Sequence, residues 1–224
     1  MTELSNGAWM SDIDGTSVRL ADSKFSLQNA RKSPLGPIKG FSDFHHGVQD
    51  AGLPFIGFVT RRPDVAQRRR ATARSLSYLD IRPGFEVVHA GTLNPRHNHE
   101  ARKARVVAQA AAARYVLGFV DDKPHNIGIE LITAIQEIEA DPRLPEVRIV
   151  LGAVNQNGSD NFDKLKERVA AAAETDDSIR MVAVGDSTAS VDIGQSALHI
   201  VTIDELSGRT GFEFGSLTLR HMLR

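Results

Sequence analysis

The sequence contains no cysteine, so disulfides, thiolate metal sites and cysteine nucleophiles are excluded. It also has no apolar run of the roughly 18 residues that a helix needs to cross a bilayer. Its first residues, MTELSNGAW, lack the basic region followed by an apolar stretch that is typical of a secretion signal. The formal net charge of -1 provides no overall field to attract nucleic acid or an anionic membrane. We therefore expect a soluble cytoplasmic protein that does not bind membranes.

Short apolar runs alternate along the chain with longer segments of helical pattern. Hydrophobic residues make up 41% and charged residues 25% of the 224 residues, which suits an ordinary globular core. This alternation predicts an α/β fold with a mainly parallel sheet flanked by helices. The predicted strands are residues 8–13, 54–59, 85–89, 115–120, 148–154, 181–184 and 199–203. The predicted helices are residues 38–51, 99–114, 127–140 and 162–174, with one more that opens at 62–64.

Three of the predicted strands end in polar residues. The first leads into Asp12 and Asp14, the second into Thr60 and Arg61, and the fourth into the pair Asp121-Asp122. In open parallel sheets, ligands bind outside the carboxyl ends of the strands. We therefore expect these three strand ends to meet in one functional site.

Asp12 and Asp14 stand two residues apart in the segment DIDGT. Side chains two residues apart along an extended chain project on the same side. One carboxylate could attack a phosphorus atom while its neighbour handles the proton of the leaving group. Gly15 allows the chain to turn sharply after the strand. Taken alone, the segment is also typical of an ordinary turn at the end of a strand.

With its flanking residues, WMSDIDGT resembles the first motif of the haloacid dehalogenase superfamily, in which a hydrophobic strand leads into DxDGT. The resemblance implies a Rossmann-like fold, Asp12 as a nucleophile that forms a phospho-aspartyl intermediate, and Asp14 as its acid/base partner. The presence of Asp14 favours a phosphatase or a phosphomutase over a dehalogenase. The DGT ending, in place of DKTGT, argues against a transport ATPase.

Three further segments resemble the remaining motifs of this superfamily, in the family's order. FVTRRP resembles the second motif, which implies that Thr60 holds the transferring phosphoryl group and that Arg61 or Arg62 pairs with substrate phosphate. Both arginines could instead lie on the solvated start of a helix. Lys103, on the predicted helix before the fourth strand, has the position of the family's lysine. GFVDDKPHN resembles the acidic fourth motif.

The acidic fourth motif implies a magnesium site. Mg²⁺ prefers hard oxygen ligands and binds through a few carboxylates together with substrate phosphate. The resemblance implies Asp12, the backbone carbonyl of Asp14 and Asp122 as ligands. Asp121 and Asn126 are expected as supporting ligands or as their hydrogen-bond partners.

A later segment competes for the role of the fourth motif. VAVGD is also a predicted strand that ends in an aspartate, Asp186, with Asp192 further on. In that alignment Lys164 or Lys166 would be the lysine, and residues 63–160 would hold a large cap. We favour the earlier segment, which supplies a strand, a lysine-bearing helix, a strand and an acidic pair in the usual spacing.

The four motifs span residues 8 to about 127, so residues 1–127 are predicted to form the catalytic core. Residues 128–224 would complete its sheet or form an added α/β lobe, unless the whole chain is one domain. About 45 residues separate the first two motifs, which leaves room for a small flap in residues 17–36. The resemblance then implies a small cap or none.

The resemblance implies a magnesium-dependent phosphatase that hydrolyses a phosphate monoester. A phosphomutase or phosphotransferase on the same scaffold stays open at this point, and so does a phospho-ligand-binding protein without catalysis. The expected partner is a phosphorylated substrate, and nucleic acid is expected only as such a substrate. The sequence indicates neither the identity of the substrate nor the oligomeric state.

Overall fold

The structure, a computed structural model, describes residues 7–19, 36–81, 84–94, 96–155 and 160–222. None of the helices in these ranges is long and apolar enough to cross a membrane. The strands are β1 (Gly7–Ser11), β2 (Phe55–Pro63), β3 (Glu86–Gly91), β4 (Val116–Asp121), β5 (Arg148–Val154), β6 (Ile179–Val184), β7 (Thr188–Ile193) and β8 (Ser196–Ile203). The helices are α1 (Phe41–Asp50), α2 (Ala66–Leu76), α3 (His99–Ala112), α4 (Pro124–Glu139), α5 (Asn161–Thr175) and α6 (Gly208–Met222).

The eight strands form one sheet in the order β3-β2-β1-β4-β5-β8-β7-β6. All neighbours from β3 to β8 are parallel, whereas β7 is antiparallel to both β8 and β6. The predicted α/β fold with a mainly parallel sheet flanked by helices is therefore confirmed. Strands from the second half of the chain extend the same sheet that contains β1 to β4.

Two hydrophobic cores cover the two faces of the sheet. Alternate side chains of a strand point to opposite faces, and β4 shows this directly. Leu117 and Phe119 join the core beneath α3, α4 and α5, whereas Val120 joins the core that contains α1 and α6. Because both faces of the central strands are buried, these strands are continuous apolar runs in the sequence.

The C-terminal helix α6, which the sequence did not predict, packs against α1. Glycine has low helix propensity, so the segment GRTGFEFGSL gives a weak helical signal. Here the glycines allow two helices to approach closely, because a Cβ at Gly47 would collide with the carbonyl of Gly208, and one at Gly211 with the carbonyl of Phe44. Phe214 then packs against Phe44 with tilted rings, whose centroids are 5.8 Å apart.

The prediction that a helix opens at residues 62–64 was wrong. β2 continues to Pro63, which lies opposite Gly91 of β3, and α2 begins only at Ala66. Proline cannot donate a hydrogen bond to a neighbouring strand. β1 ends opposite Phe58, so Pro63 has a neighbouring strand on one side only. On its open side, no backbone N–H is needed to bond to a strand. A second difference is β7, a half-polar strand that sequence patterning did not predict.

The small flap predicted in residues 17–36 falls mostly on residues 20–35, which lie outside the described part of the chain. On its two sides, Val18 forms isolated β-bridges with Asp14 and with Pro37. The chain therefore leaves the end of β1 and returns to it at nearly the same place.

Candidate active site

The carboxylates of Asp12 and Asp121 are neighbours because their strands are neighbours. β1 and β4 are parallel with Ser11 opposite Val120, and the Asp12 N–H donates to the carbonyl of Val120 at 2.9 Å. The two aspartates thus emerge side by side at the carboxyl edge of the sheet. Both are buried, with 5% and 2% of their surfaces exposed.

Lys103 lies between these two carboxylates. Its Nζ donates to Oδ1 of Asp12 at 2.6 Å and to Oδ2 of Asp121 at 2.5 Å. The lysine is on the buried face of α3, and only 2% of its surface is exposed. The structure therefore brings the predicted lysine into direct contact with the predicted nucleophile, although 91 residues separate them in sequence.

Charge at this site is not balanced. Burial alone would lower the pKa of Lys103, but Asp12 and Asp121 outweigh it and raise that pKa above its usual range. Burial is also the largest influence on Asp12 and raises its pKa to about 8, against the opposing effect of Lys103. Burial, followed by repulsion from Asp121, raises the pKa of Asp122 to about 6. Three clustered carboxylates thus share one buried ammonium group.

The donor set fits a divalent cation. One carboxylate oxygen from each of Asp12, Asp121 and Asp122 lies within 4.8 Å of the other two. Hard oxygen donors of this kind are the ligands of Mg²⁺. A cation here would also offset the uncompensated negative charge, since buried charges are costly unless they are paired or bound to metal.

Asp122 is held in place by the loop after β1 and by a residue of α5. Gly15 adopts a left-handed backbone with φ of 91°, and a Cβ there would collide with the Asp122 carboxylate. The N–H of Asp122 donates to Oγ1 of Thr16 at 3.0 Å. Asn161, on α5, donates through Nδ2 to the carbonyl of Asp122 at 2.8 Å. Thr16 belongs to the DGT segment that follows β1, whereas no sequence pattern predicted a contact from Asn161.

Asp14 is paired with Arg62, not left open to the solvent. The Nε of Arg62 donates to Oδ2 of Asp14 at 2.8 Å, and one terminal nitrogen donates to Oδ1 at 2.5 Å. Arg62 is only 3% exposed, so it does not lie on the solvated start of a helix. Thr60, which is fully buried, also donates to Oδ2 of Asp14 at a long 3.4 Å.

Arg61 has a different environment from Arg62. Its side chain is 43% exposed and forms an ion pair of 2.6 Å with Glu100, at the start of α3. Burial works against its charge, but Glu100, together with the acidic cluster, raises the pKa of Arg61. Arg61 therefore lies at the rim of the site within the field of its carboxylates.

The other candidate residues are less involved. Asn126 is half-buried in the first turn of α4, and no hydrogen bond among the described residues joins its side chain to the carboxylates. Asp186 is exposed in the turn after β6, and Asp192 is half-buried on β7. The two lysines of the rival alignment pair with acidic residues of their own segment, Lys164 with Asp160 and Lys166 with Asp163.

No family model matches the chain, and no curated protein matches it. Among solved structures, the chain is similar to the crystal structure of a "putative ribokinase" from Agrobacterium tumefaciens, with 8% sequence identity and a TM-score of 0.35. The alignment covers 96% of this chain and 83% of that chain. At this TM-score the similarity carries no argument, so the case for a function depends on the geometry of the site.

Proposed function

We propose that this chain is a magnesium-dependent phosphatase of the haloacid dehalogenase type, which hydrolyses a phosphate monoester through a phospho-aspartyl intermediate on Asp12. The observation that carries the proposal is the bridge from Lys103 to Asp12 and Asp121, with Asp122 beside them. Residues from three distant parts of the sequence, which resemble the first, third and fourth motifs, meet there.

Asp12 suits the role of nucleophile because it directly follows β1 and accepts a hydrogen bond of 2.6 Å from Lys103. Burial raises its pKa, and a bound Mg²⁺ would lower that pKa and so provide the attacking carboxylate. In the first displacement an Asp12 oxygen attacks phosphorus and the bond to the leaving oxygen breaks. Asp14 gives its proton to that oxygen. Lys103 and Thr60 would stabilise the charge on the phosphoryl oxygens during this step.

The second displacement returns the site to its starting state. A water molecule loses a proton to Asp14 and attacks the phosphorus, and the bond from phosphorus to Asp12 breaks. Inorganic phosphate leaves, and Asp14 again carries the proton that it gave up. Magnesium, held by Asp12 and Asp122 with Asp121 and the Asp14 carbonyl as further oxygen donors, would supply positive charge against the phosphate.

The test is phosphate release from 4-nitrophenyl phosphate in the presence of Mg²⁺ or of EDTA. We expect release that requires Mg²⁺ and that Asp12→Asn lowers by at least about 1,000-fold. Asp186→Asn is the matched control, since Asp186 is an exposed aspartate at the end of another strand. Release that survives in Asp12→Asn, or that EDTA does not reduce, would rule out the proposal. Adding an alcohol acceptor and identifying the products would separate hydrolysis from phosphoryl transfer.

A further inference from the structure

The guanidinium of Arg62 holds the Asp14 carboxylate by two side-by-side hydrogen bonds, of 2.8 and 2.5 Å. A two-point contact of this kind fixes the plane of a carboxylate as well as its position. The Asp14 side chain is 18% exposed. The pair therefore holds Asp14 at the border between the protein interior and the mouth of the site.

Two threonines hold Arg62 in turn. Its remaining terminal nitrogen donates to Oγ1 of Thr72 at 2.8 Å, on the buried face of α2. Its backbone N–H donates to Oγ1 of Thr60 at 3.2 Å. The guanidinium is thus bonded to Asp14 on one side and to a helix on the other, and its orientation is determined before any substrate binds.

Arg61 provides the contrast, because consecutive residues of a strand point in opposite directions. Its side chain reaches the rim of the site, where it is 43% exposed and pairs with Glu100. An exposed ion pair exchanges partners at little cost in free energy. Arg61 can therefore leave Glu100 for an incoming phosphate, whereas Arg62 would have to break three hydrogen bonds, one buried and two partly buried.

We infer that Arg62 is a positioning residue that aims Asp14, and that Arg61 is the arginine that meets the substrate phosphate. The inference rests on the proposed function. An acid/base group acts only within hydrogen-bond reach of the proton it transfers, and a displacement of about 1 Å can reduce the rate roughly 100-fold. A carboxylate has about four acceptor positions, of which Arg62 uses two and Thr60 a third, so one position of Asp14 is left to carry the proton that the leaving oxygen takes.

The experiment measures kcat/KM, which reports the first displacement, for a series of phosphate esters from 4-nitrophenyl phosphate to an alkyl phosphate. Arg62→Lys keeps the charge but not the two-point contact. We expect it to lower kcat/KM about 100-fold for the alkyl ester, whose leaving oxygen needs a proton, and less than about tenfold for the nitrophenyl ester. Arg61→Met should raise KM by a similar factor for every ester.

Equal losses of kcat/KM for all esters in Arg62→Lys, or a rise in KM with kcat unchanged, would overturn the inference. Because Arg62 is buried, Thr72→Val serves as a second variant that keeps the side-chain shape and removes one anchor. We expect Thr72→Val to lower kcat/KM about fivefold for the alkyl ester and less for the nitrophenyl ester. Thr133→Val, at an exposed threonine of α4, is its control. A Thr72→Val variant that matches this control would also count against the inference.

A separate measurement distinguishes failure of this inference from failure of the proposed function. If the wild-type protein releases phosphate from no ester, the proposed phosphatase function fails, whereas the pairing can still be judged by thermal unfolding. The Tm losses in Arg62→Lys and Asp14→Asn should then be smaller in the double variant than their sum, as expected for two groups in contact. Additive losses would show that Arg62 does not fix Asp14.

Discussion

Two strands of this protein lead into aspartates that resemble the same motif, and only one of these, Asp121, lies in a cluster with Lys103 and other carboxylates. Asp121, at the end of β4, is 2% exposed and accepts a hydrogen bond from Lys103. Asp186, after β6, is exposed. The lysines of the alternative alignment, Lys164 and Lys166, pair with acidic residues at the start of α5. Their local sequences, GFVDD and VAVGD, differ little. What differs is the neighbourhood of each strand.

Position in the sheet explains the difference. β4 lies directly beside β1, so its last residues emerge next to Asp12. β6 is the edge strand, five strand spacings from β1, or roughly 24 Å at about 4.8 Å each. No side chain at the end of β6 can reach Asp12 across that distance. An acidic strand end therefore becomes part of a site only when its neighbours also end in reactive groups.

The largest difference between the two regions should appear when their lysines are removed. Lys103→Met leaves two buried carboxylates without their partner, whereas Lys164→Met breaks an exposed pair. We expect the buried change to lower the free energy of unfolding by roughly 3–5 kcal/mol in EDTA and to abolish phosphate release. The exposed change should alter the free energy of unfolding by less than about 0.5 kcal/mol. Urea denaturation of both variants measures this contrast, and equal effects would refute it.

The aspartates themselves give the next largest contrast. Asp122→Asn removes one charged oxygen donor from the cluster, and we expect apparent Mg²⁺ affinity in the phosphate-release assay to fall about 10- to 100-fold. Asp186→Asn should leave that affinity unchanged. A titration of activity against Mg²⁺ concentration checks both variants. A loss of Mg²⁺ affinity in Asp186→Asn would favour the alternative alignment, in which Asp186 belongs to the fourth motif.

Two glycines offer a finer comparison: Gly15, which contacts Asp122, and Gly185, which precedes Asp186 in the sequence. A Cβ at Gly15 would collide with the Asp122 carboxylate and strain a left-handed backbone, whereas a Cβ at Gly185 would meet only Thr188 at 3.4 Å. Gly15→Ala should therefore weaken Mg²⁺ activation about tenfold and destabilise the fold by roughly 1–2 kcal/mol. Gly185→Ala should do neither. Isothermal calorimetry with Mg²⁺ alone provides a readout that does not depend on turnover.

The smallest expected effect concerns pH. The pKa of Asp12 is raised to about 8, mainly by burial, above its ordinary value of 3.8. Between these values the folded state keeps a proton that the unfolded state has lost, so stability falls as pH rises. In EDTA we expect Tm at pH 8.5 to be at least about 4 °C below that at pH 5.5. Asp12→Asn should flatten this dependence, and a Tm that rises with pH in EDTA would contradict it.

Much of the fold and part of the site could be predicted because they depend on periodicity and on strand ends. The buried strands are apolar runs, and parallel order places the ends of β1, β2 and β4 at one edge. Which arginine faces inward could not be predicted, because it depends on where β2 ends. With a helix expected to open at residues 62–64, either arginine could pair with substrate phosphate, or both could lie on the solvated start of that helix. In the observed strand, Arg62 points inward to Asp14.

The remaining misses have physical causes as well. The contact from Asn161 to the backbone of Asp122 joins residues that share no local pattern, since the position of α5 depends on its packing against α4, β5 and β6. α6 was missed because its glycines serve close helix packing and reduce its intrinsic propensity. Such long-range contacts become visible only after the fold is known.

The packing of α6 has a consequence for the synthesis of this protein. β1, β2 and β4 carry the proposed catalytic residues, and all have been translated once Asp121 has been added to the chain. One face of these strands is then covered by α1 but not yet by α6, because Phe214 and its helix arrive about 100 residues later. At roughly 5–20 residues per second, the ribosome needs on the order of ten seconds to make them. During that interval the nascent chain exposes the apolar surface around Phe44 and Gly118 that Phe214 later covers, which is the kind of surface that chaperones bind.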